Sequence, residues 1–179
     1  MEDVVETVLI PEDKIKERVK ELGAQISKDY KGKTLTVVCI LRGASLFFVD
    51  LVRELDLDVR FEFMVVSSYG SGTTSSGEVK IIQDLAKPIR DKDVLIVEDI
   101  IDSGNTMSAL TKVLQAREPA SVKVCAFLDK PSRRTVDFKG DYIGFTVEDK
   151  FIIGYGLDYD EKYRNLKDIC VLKPEVYMK

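Results

Sequence analysis

The stretch that decides the fold reads Val94-Leu95-Ile96-Val97-Glu98-Asp99-Ile100-Ile101-Asp102-Ser103-Gly104-Asn105-Thr106. It begins with a short apolar strand, 94–97, which delivers two adjacent carboxylates, Glu98 and Asp99, at its carboxyl end. Open parallel sheets bind their ligands at that end. A loop of small and hydroxyl-bearing residues follows and leads into a helix predicted from about 105 to 117. The stretch therefore predicts a strand–turn–helix unit of an α/β sheet with a ligand site at the turn.

The turn after this strand is suited to holding a phosphate without basic side chains. Backbone N–H groups, the helix dipole and the hydroxyls of Ser103 and Thr106 would converge on one spot. Gly104 lets the backbone approach an anion closely. The same residues could form an ordinary helix cap, and the two carboxylates could simply be solvated. Because the cap residues and the acidic pair occur together, we favour a ligand site.

Apolar runs and amphipathic segments alternate along the rest of the chain, as in α/β sheets. We predict one domain, 1–179, with a twisted, mainly parallel sheet flanked by helices, a small hood lobe and a long hairpin. In residues 67–77 every side chain except Tyr69 is Gly, Ser or Thr, which predicts a flexible loop at the hairpin tip. The predicted helices are 11–30, 46–54 and 105–117, and the predicted strands are 34–41, 59–65, 78–82, 94–97, 122–128, 142–146, 151–153 and 169–172.

Composition excludes several classes of protein. The net charge of −4 leaves no basic surface for nucleic acid, and the apolar runs are too short to cross a membrane. The acidic start, Met1-Glu2-Asp3, lacks the features of a signal peptide, so we expect a cytoplasmic protein.

The absence of histidine excludes a Ser-His-Asp triad, a Cys-His pair and any His-ligated metal. A bound metal would need oxygen ligands, which points to Mg²⁺ or a similar hard ion. Cys39, Cys125 and Cys170 are widely spaced in apolar runs, which predicts buried, reduced thiols.

Two other phosphate-binding motifs fail on spacing. Residues 94–99 look like a Walker B strand, but the chain has no G-x-x-x-x-G-K-[ST] sequence, which argues against a P-loop NTPase. Gly70 and Gly72 start like a dinucleotide fingerprint, but the next glycine is Gly77, at the wrong spacing and within the hairpin.

Residues 94–106 resemble the phosphoribosyl-diphosphate (PRPP) signature of type I phosphoribosyltransferases, and V-E-D-I-I-D-S-G-N-T is similar to the version found in hypoxanthine-guanine phosphoribosyltransferases. Segments 41–43, 67–70, 130–134 and 151–166 agree in order and spacing, so the resemblance spans nearly the whole chain. It implies Mg²⁺-dependent purine salvage, in which the 5-phosphoribosyl group of PRPP passes to hypoxanthine or guanine and gives IMP or GMP and diphosphate. It also implies a homodimer or homotetramer.

The resemblance assigns the sugar side of the site. Asp102 would face N7 of the purine as the proton acceptor, unless it merely closes an Asx turn. The residues implied for ribose and 5′-phosphate are Glu98, Asp99, Asp102, Ser103, Gly104, Asn105 and Thr106. The implied metal ligands are Glu98, Asp99 and Asp158.

The resemblance also assigns the diphosphate and the base. A strained, often cis, peptide is implied near Arg42-Gly43, and the mobile loop would close as a lid, although a plain disordered hairpin is the alternative. Lys130 would donate to O6 of the purine and Phe151 would stack on it; without the resemblance these are a surface lysine and part of a strand. The implied diphosphate residues are Arg42, Gly43, Ser68, Tyr69 and Arg164, and the implied purine residues are Lys130, Phe151, Ile152 and Asp158.

Three alternatives stay open at this point. The same fold could prefer xanthine, because contacts to the purine 2-position cannot be read from the sequence. It could also serve as a regulator that binds RNA, although the acidic composition argues against one. The third alternative is a PRPP sensor without catalysis, which the presence of Asp102, Lys130 and the loop makes less attractive.

Overall fold

Six strands form the central sheet of the computed structural model, which describes residues 2–68 and 79–178. In chain order the strands are β1 (Val5–Ile10), β2 (Thr34–Leu41), β3 (Asp58–Ser68), β4 (Val79–Gln83), β5 (Asp93–Ile101), β6 (Ser121–Asp129), β7 (Tyr142–Thr146), β8 (Ile152–Ile153) and β9 (Ile169–Leu172). The α-helices are α1 (Glu12–Asp29), α2 (Ser45–Arg53), α3 (Asn105–Gln115) and α4 (Pro174–Tyr177), and two short 3-10 helices span Glu2–Val4 and Pro131–Arg133.

The central sheet has the order β4-β3-β2-β5-β6-β7 and is parallel except for the antiparallel pair of β3 and β4. This confirms the predicted α/β class. Because β2, β5 and β6 run in the same direction, the loops that follow them meet at one edge of the sheet. That edge carries the predicted site.

Alternate residues of the central strands face two separate apolar cores. Val37 and Leu95 pack with α1 and α2 on one side, whereas Val38 and Ile96 pack with α3 on the other. Strands covered on both faces are apolar throughout, which explains why these segments show continuous rather than alternating hydrophobicity.

Strand β5 is longer than predicted, because it continues through the acidic pair to Ile101. Glu98 lies opposite Ala126, and Ile101 lies opposite Asp129, in the ladder with β6. The prediction ended the strand at 97 because charged side chains are rarely buried. The two carboxylates are therefore held by strand pairing, not by a loop.

A second, smaller sheet joins segments from opposite ends of the sequence. It has the order β1-β9-β8, with both pairs antiparallel. Ile153, Cys170 and Leu172 form its own small apolar core. The predicted last strand thus returns to the N-terminal segment, as expected.

All three cysteines are buried and unpaired, as the sequence predicts. Burial raises the pKa of the Cys39 thiol to about 12, so this group is not a thiolate nucleophile at neutral pH. Within residues 2–68 and 79–178, none of the helices combines the length and apolar character that a bilayer span requires.

Candidate active site

In the acidic pair of β5, Glu98 is buried and Asp99 is partly buried, so both carboxylates lie where ionisation is unfavourable. The side chain of Glu98 is almost inaccessible, and its Oε1 accepts a hydrogen bond from the backbone N–H of Asp99 at 3.0 Å. Asp99 Oδ1 accepts from the N–H of Ile100 at 2.7 Å. Burial, together with the neighbouring Asp99, raises the pKa of Glu98 well above its ordinary value, and burial also raises the pKa of Asp99. Such a pair is suited to a bound cation or to sugar hydroxyls, which would stabilise its ionised form.

Two loops pack against one another beside the Asp99 carboxylate. A Cβ atom added to Gly43 would fall 1.6 Å from Asp99 Oδ2, so the backbone after β2 lies directly against this side chain. A Cβ added to Gly156 would fall 2.0 Å from the carbonyl oxygen of Gly43, and Gly156 has a φ of +100°. The peptide bond between Leu41 and Arg42 is cis. The packing therefore requires glycine at 43 and 156.

The predicted phosphate turn has the expected form. Gly104 adopts a left-handed conformation, with φ of +84°, and directly precedes α3. The N–H of Asn105 donates to Ser103 Oγ at 3.3 Å. A cavity of about 150 Å³ is bounded by residues 98–104, 106 and 107, so the acidic pair and the turn share one space.

Two arginines that follow β6 contact Asp102 in this turn. Arg133 Nε lies 2.9 Å from Asp102 Oδ1, an ion pair without hydrogen-bond alignment. Arg134 donates from Nη1 to the carbonyl oxygen of Asp102 at 2.6 Å and also pairs with the carboxylate of Asp129. Sequence reasoning assigned neither arginine a role, although both lie in the segment 130–134 that carried the resemblance.

A cavity of about 540 Å³ brings together all four residues predicted for the base, and Asp102 with them. It is lined by Asp102, Lys130, Phe151, Ile152 and Asp158. The remaining lining residues are Glu6, Ile100, Arg133, Asp149, Lys150, Leu157, Val171 and Tyr177.

Lys130 is a buried side chain, not a surface lysine. It is 7% exposed, and its ammonium donates to the carbonyl oxygen of Lys150 at 2.6 Å. Asp149 Oδ1 lies 3.8 Å from Lys130 Nζ. Burial lowers the pKa of Lys130, which the charges of Asp102 and Asp149 partly offset. The structure thus contradicts the alternative of a solvated lysine.

Glu161 connects the two arginines predicted for the diphosphate. Its Oε2 lies 2.8 Å from Arg42 Nη1 and 3.4 Å from Arg164 Nη2. Arg164 also pairs with Asp158 Oδ1 at 2.9 Å. The two guanidinium groups lower the pKa of Glu161. Sequence reasoning missed Glu161, because an acidic residue in an exposed loop carries no signal of such a contact.

Some predicted site features are not tested by these contacts. Tyr69 and the rest of the predicted lid, 69–77, lie outside the described residues, and Ser68 is described only as the end of β3. Among the described residues, no group of three or more acidic or cysteine side chains is arranged to hold one metal ion. Asp158 and the Glu98–Asp99 pair are therefore not a preformed cage.

A larger cavity, of about 680 Å³, is lined by residues of β2, β3, β4 and the 84–92 connection. It contains none of the predicted site residues. The smaller cavity at Lys130 brings together the acidic and basic side chains that proton transfer and substrate binding require. We therefore take it as the candidate active site.

Comparisons with known proteins agree with this geometry. The family model described as "Phosphoribosyl transferase domain" matches residues 11–160. A hypoxanthine-guanine phosphoribosyltransferase of Staphylococcus aureus is 49% identical over 177 residues, which cover 99% of each chain. A bifunctional protein TilS/HprT of Listeria monocytogenes is also 49% identical over 177 residues, and the chain spans 27% of its length.

Solved structures show the same likeness. A crystal structure of a hypoxanthine phosphoribosyltransferase from Staphylococcus aureus has a TM-score of 0.96 and 48% identity, and the match covers 99% of this chain and 96% of that one. A hypoxanthine-guanine phosphoribosyltransferase from Bacillus anthracis, with a HEPES molecule in its active site, has a TM-score of 0.91 and 43% identity, covering 94% and 99% of the two chains.

Proposed function

The chain belongs to the hypoxanthine-guanine phosphoribosyltransferase family and is a PRPP-dependent enzyme of purine salvage, and we propose that it converts hypoxanthine and guanine to IMP and GMP with release of diphosphate. The observation that carries the proposal is the cavity shared by Asp102, Lys130 and Phe151, next to the acidic pair of β5. It offers a proton acceptor, a donor and an aromatic face around a space large enough for a purine.

On the sugar side, the carboxylates of Glu98 and Asp99 accept hydrogen bonds from the two ribose hydroxyls. The turn from Ser103 to Thr106 binds the 5′-phosphate through backbone N–H groups at the start of α3. Gly104 supports this role, because glycine adopts the left-handed conformation of the turn without strain, and a Cβ there would fall 2.9 Å from Arg134 Cδ.

On the base side, the ammonium of Lys130 donates to O6 of a 6-oxopurine, and Asp102 accepts the proton at N7 while N9 attacks C1 of the sugar. The attack breaks the bond from C1 to the diphosphate oxygen, and the electron pair leaves with diphosphate. Phe151 stacks on the base, and the backbone of Ile152 faces its Watson–Crick edge. An adenine 6-amino group is itself a donor and would face the Lys130 donor unfavourably.

On the leaving-group side, Arg42, Gly43 and Arg164 bind the diphosphate, and the loop around Ser68 and Tyr69 covers it. Mg²⁺ fits here, because the available donors are carboxylate oxygens and this ion is usually held by one or two carboxylates together with substrate phosphates. Glu98 and Asp99 would hold it on the ribose side, and Asp158 on the diphosphate side. When bound, Mg²⁺ would neutralise charge that develops on the leaving diphosphate.

We propose that residues 1–179 form one phosphoribosyltransferase domain, in which the sheet β1-β9-β8 is the hood and residues 67–77 are the lid. We also propose a homodimer or homotetramer. Exposed apolar side chains on α2 and β3 support this, namely Leu46, Val49, Phe61 and Phe63. Light scattering of the purified protein measures its mass directly, and a monomer would contradict the assembly without affecting the proposed reaction.

The test of the proposed function is a PRPP-dependent assay with hypoxanthine, guanine, xanthine, adenine and uracil in parallel, with and without Mg²⁺. We expect turnover of hypoxanthine and guanine only, and none after chelation of the metal. Turnover of xanthine alone would change the base assignment. No turnover of any base, by a protein that melts cooperatively, would overturn the function.

A further inference from the structure

Tyr177 of the short helix α4 stacks on Phe151. The two ring centroids are 4.8 Å apart and the ring planes differ by 25°. Tyr159 contacts the same Phe151 ring edge-on, with centroids 5.5 Å apart and planes at 84°. Both are geometries in which aromatic rings attract one another. Phe151 is thus flanked by one stacked ring and one perpendicular ring.

The helix that carries Tyr177 is itself anchored. The Tyr159 hydroxyl donates to the carbonyl oxygen of Val176 at 3.3 Å, and the N–H of Leu172, just before α4, donates to the carbonyl oxygen of Phe151 at 2.8 Å. Val176 and Tyr177 also pack against the small core of the sheet β1-β9-β8. Hydrogen bonds to backbone carbonyl groups therefore hold both the Phe151 segment and the helix that carries Tyr177.

The stacked pair still leaves part of Phe151 free for a ligand. Phe151 is 38% exposed although Tyr177 covers one of its faces. Phe151 and Tyr177 line the same 540 Å³ cavity as Lys130, and Ile100 and Leu157 also line it. Both stacked rings and these aliphatic side chains therefore border the space in which a planar base would lie.

We infer that Tyr177 is a positioning residue for purine binding: it fixes the plane of the Phe151 ring, so that the ring is oriented before the base arrives. This inference rests on the proposed function, since it needs Phe151 to stack on the base. A ring that is already ordered loses less conformational freedom on binding, which strengthens binding without a new contact to the ligand.

The experiment compares Tyr177→Leu, Tyr177→Phe and Met178→Ala with the wild type. Leucine removes the ring but keeps much of the apolar volume, and phenylalanine keeps the ring. Met178 is an exposed neighbour on the same segment, 72% accessible, and its truncation controls for general disturbance of the chain terminus. The measurements are kcat, the KM for hypoxanthine and for guanine, and the KM for PRPP, each with a melting curve.

We expect Tyr177→Leu to raise the KM of both bases about three- to tenfold, which corresponds to the loss of one aromatic stack. The KM for PRPP should change less than twofold, Tyr177→Phe should recover most of the loss, and Met178→Ala should behave as the wild type.

Two results would overturn the inference. One is an unchanged base KM in Tyr177→Leu, and the other is a fall in base KM, which would mean that Tyr177 occupies the place of the purine. If Tyr177→Leu does not fold, Tyr177→Met also removes the ring while keeping apolar volume, and the same comparison of base KM decides. If the wild type itself turns over no base, the proposed function is wrong. Failure of the proposed function can therefore be told apart from failure of the inference about Tyr177.

Discussion

Arg133 Nε lies 2.9 Å from Asp102 Oδ1, so the proposed proton acceptor is paired with a cation before any substrate is present. The pair is half-exposed and contributes little to stability. Its importance is positional, because Arg133 comes from the segment after β6 whereas Asp102 comes from the turn after β5. The contact fixes the carboxylate relative to Lys130, three residues before Arg133 in the chain.

The first prediction concerns Asp102. Asp102→Asn keeps the size of the side chain but removes its ability to accept a proton, so kcat should fall about 100-fold or more. The KM for PRPP should stay within about threefold, because the phosphate turn is unchanged. Steady-state kinetics with both substrates varied gives both numbers. Equal losses in kcat and in PRPP affinity would remove Asp102 from the proton transfer.

The second prediction concerns Lys130. Lys130→Ala removes the buried donor, so the KM for hypoxanthine should rise about tenfold or more while the KM for PRPP stays nearly constant. Lys123→Ala is a suitable control, since this lysine lies in the same strand region but lines no part of the cavity. A rise in the KM for PRPP instead would mean that the base pocket is misplaced.

The third prediction concerns Glu161, which neutralises Arg42 and Arg164 in the free protein. A bound diphosphate must compete with this carboxylate, so Glu161→Gln should lower the KM for PRPP and the inhibition constant for diphosphate about two- to threefold. Glu118→Gln, which breaks an exposed pair with Arg90 elsewhere, is the matched control. Weaker PRPP binding in Glu161→Gln would show that Glu161 supports the arginines rather than competing for them.

The fourth prediction concerns the buried acidic pair and pH. Because the pKa of Glu98 is raised in the folded state, the folded protein holds a proton that the unfolded chain loses near pH 4.5. The stability that comes from this proton is complete below that pH and is lost as the pH rises through the raised pKa.

Glu98→Gln removes this dependence. Its melting temperature should equal that of the wild type near pH 4.5 and exceed it by about 2–4 °C at pH 8, as expected for a change of about 1 kcal/mol. Melting curves over this pH range, in metal-free buffer, test the prediction. A variant less stable than the wild type at pH 8 would contradict it.

The central sheet was predictable from the sequence because its strands have a local signal. The runs at 34–41, 142–146 and 169–172 match β2, β7 and β9 in full, since they are short, apolar and rich in β-branched residues. Strand β1 was missed, because its residues are mostly exposed and it pairs only with β9, far along the chain. The prediction ended β5 too early because a strand that contains one buried and one partly buried acidic residue departs from ordinary strand composition.

The residues of the candidate site that belong to a sequence motif could be predicted. Those that reach the site only through tertiary contacts could not. The strand–turn–helix stretch was predicted from its own residues, and Lys130 was assigned through the resemblance. Arg133, Glu161 and Tyr177 were not assigned, because an arginine, a glutamate or a tyrosine in a loop gains its role only from what the fold places beside it. No pattern along the chain reports the Phe151–Tyr177 stack.

The pairing of β1 with β9 also bears on the order of events during translation. The two strands lie roughly 160 residues apart, so at ribosomal rates β1 emerges about ten to thirty seconds before its partner exists. During that interval the central sheet can already form around β2, β3 and β5, whereas the purine pocket lacks one wall. We therefore expect a nascent chain to form the proposed phosphate turn before it completes the proposed base pocket.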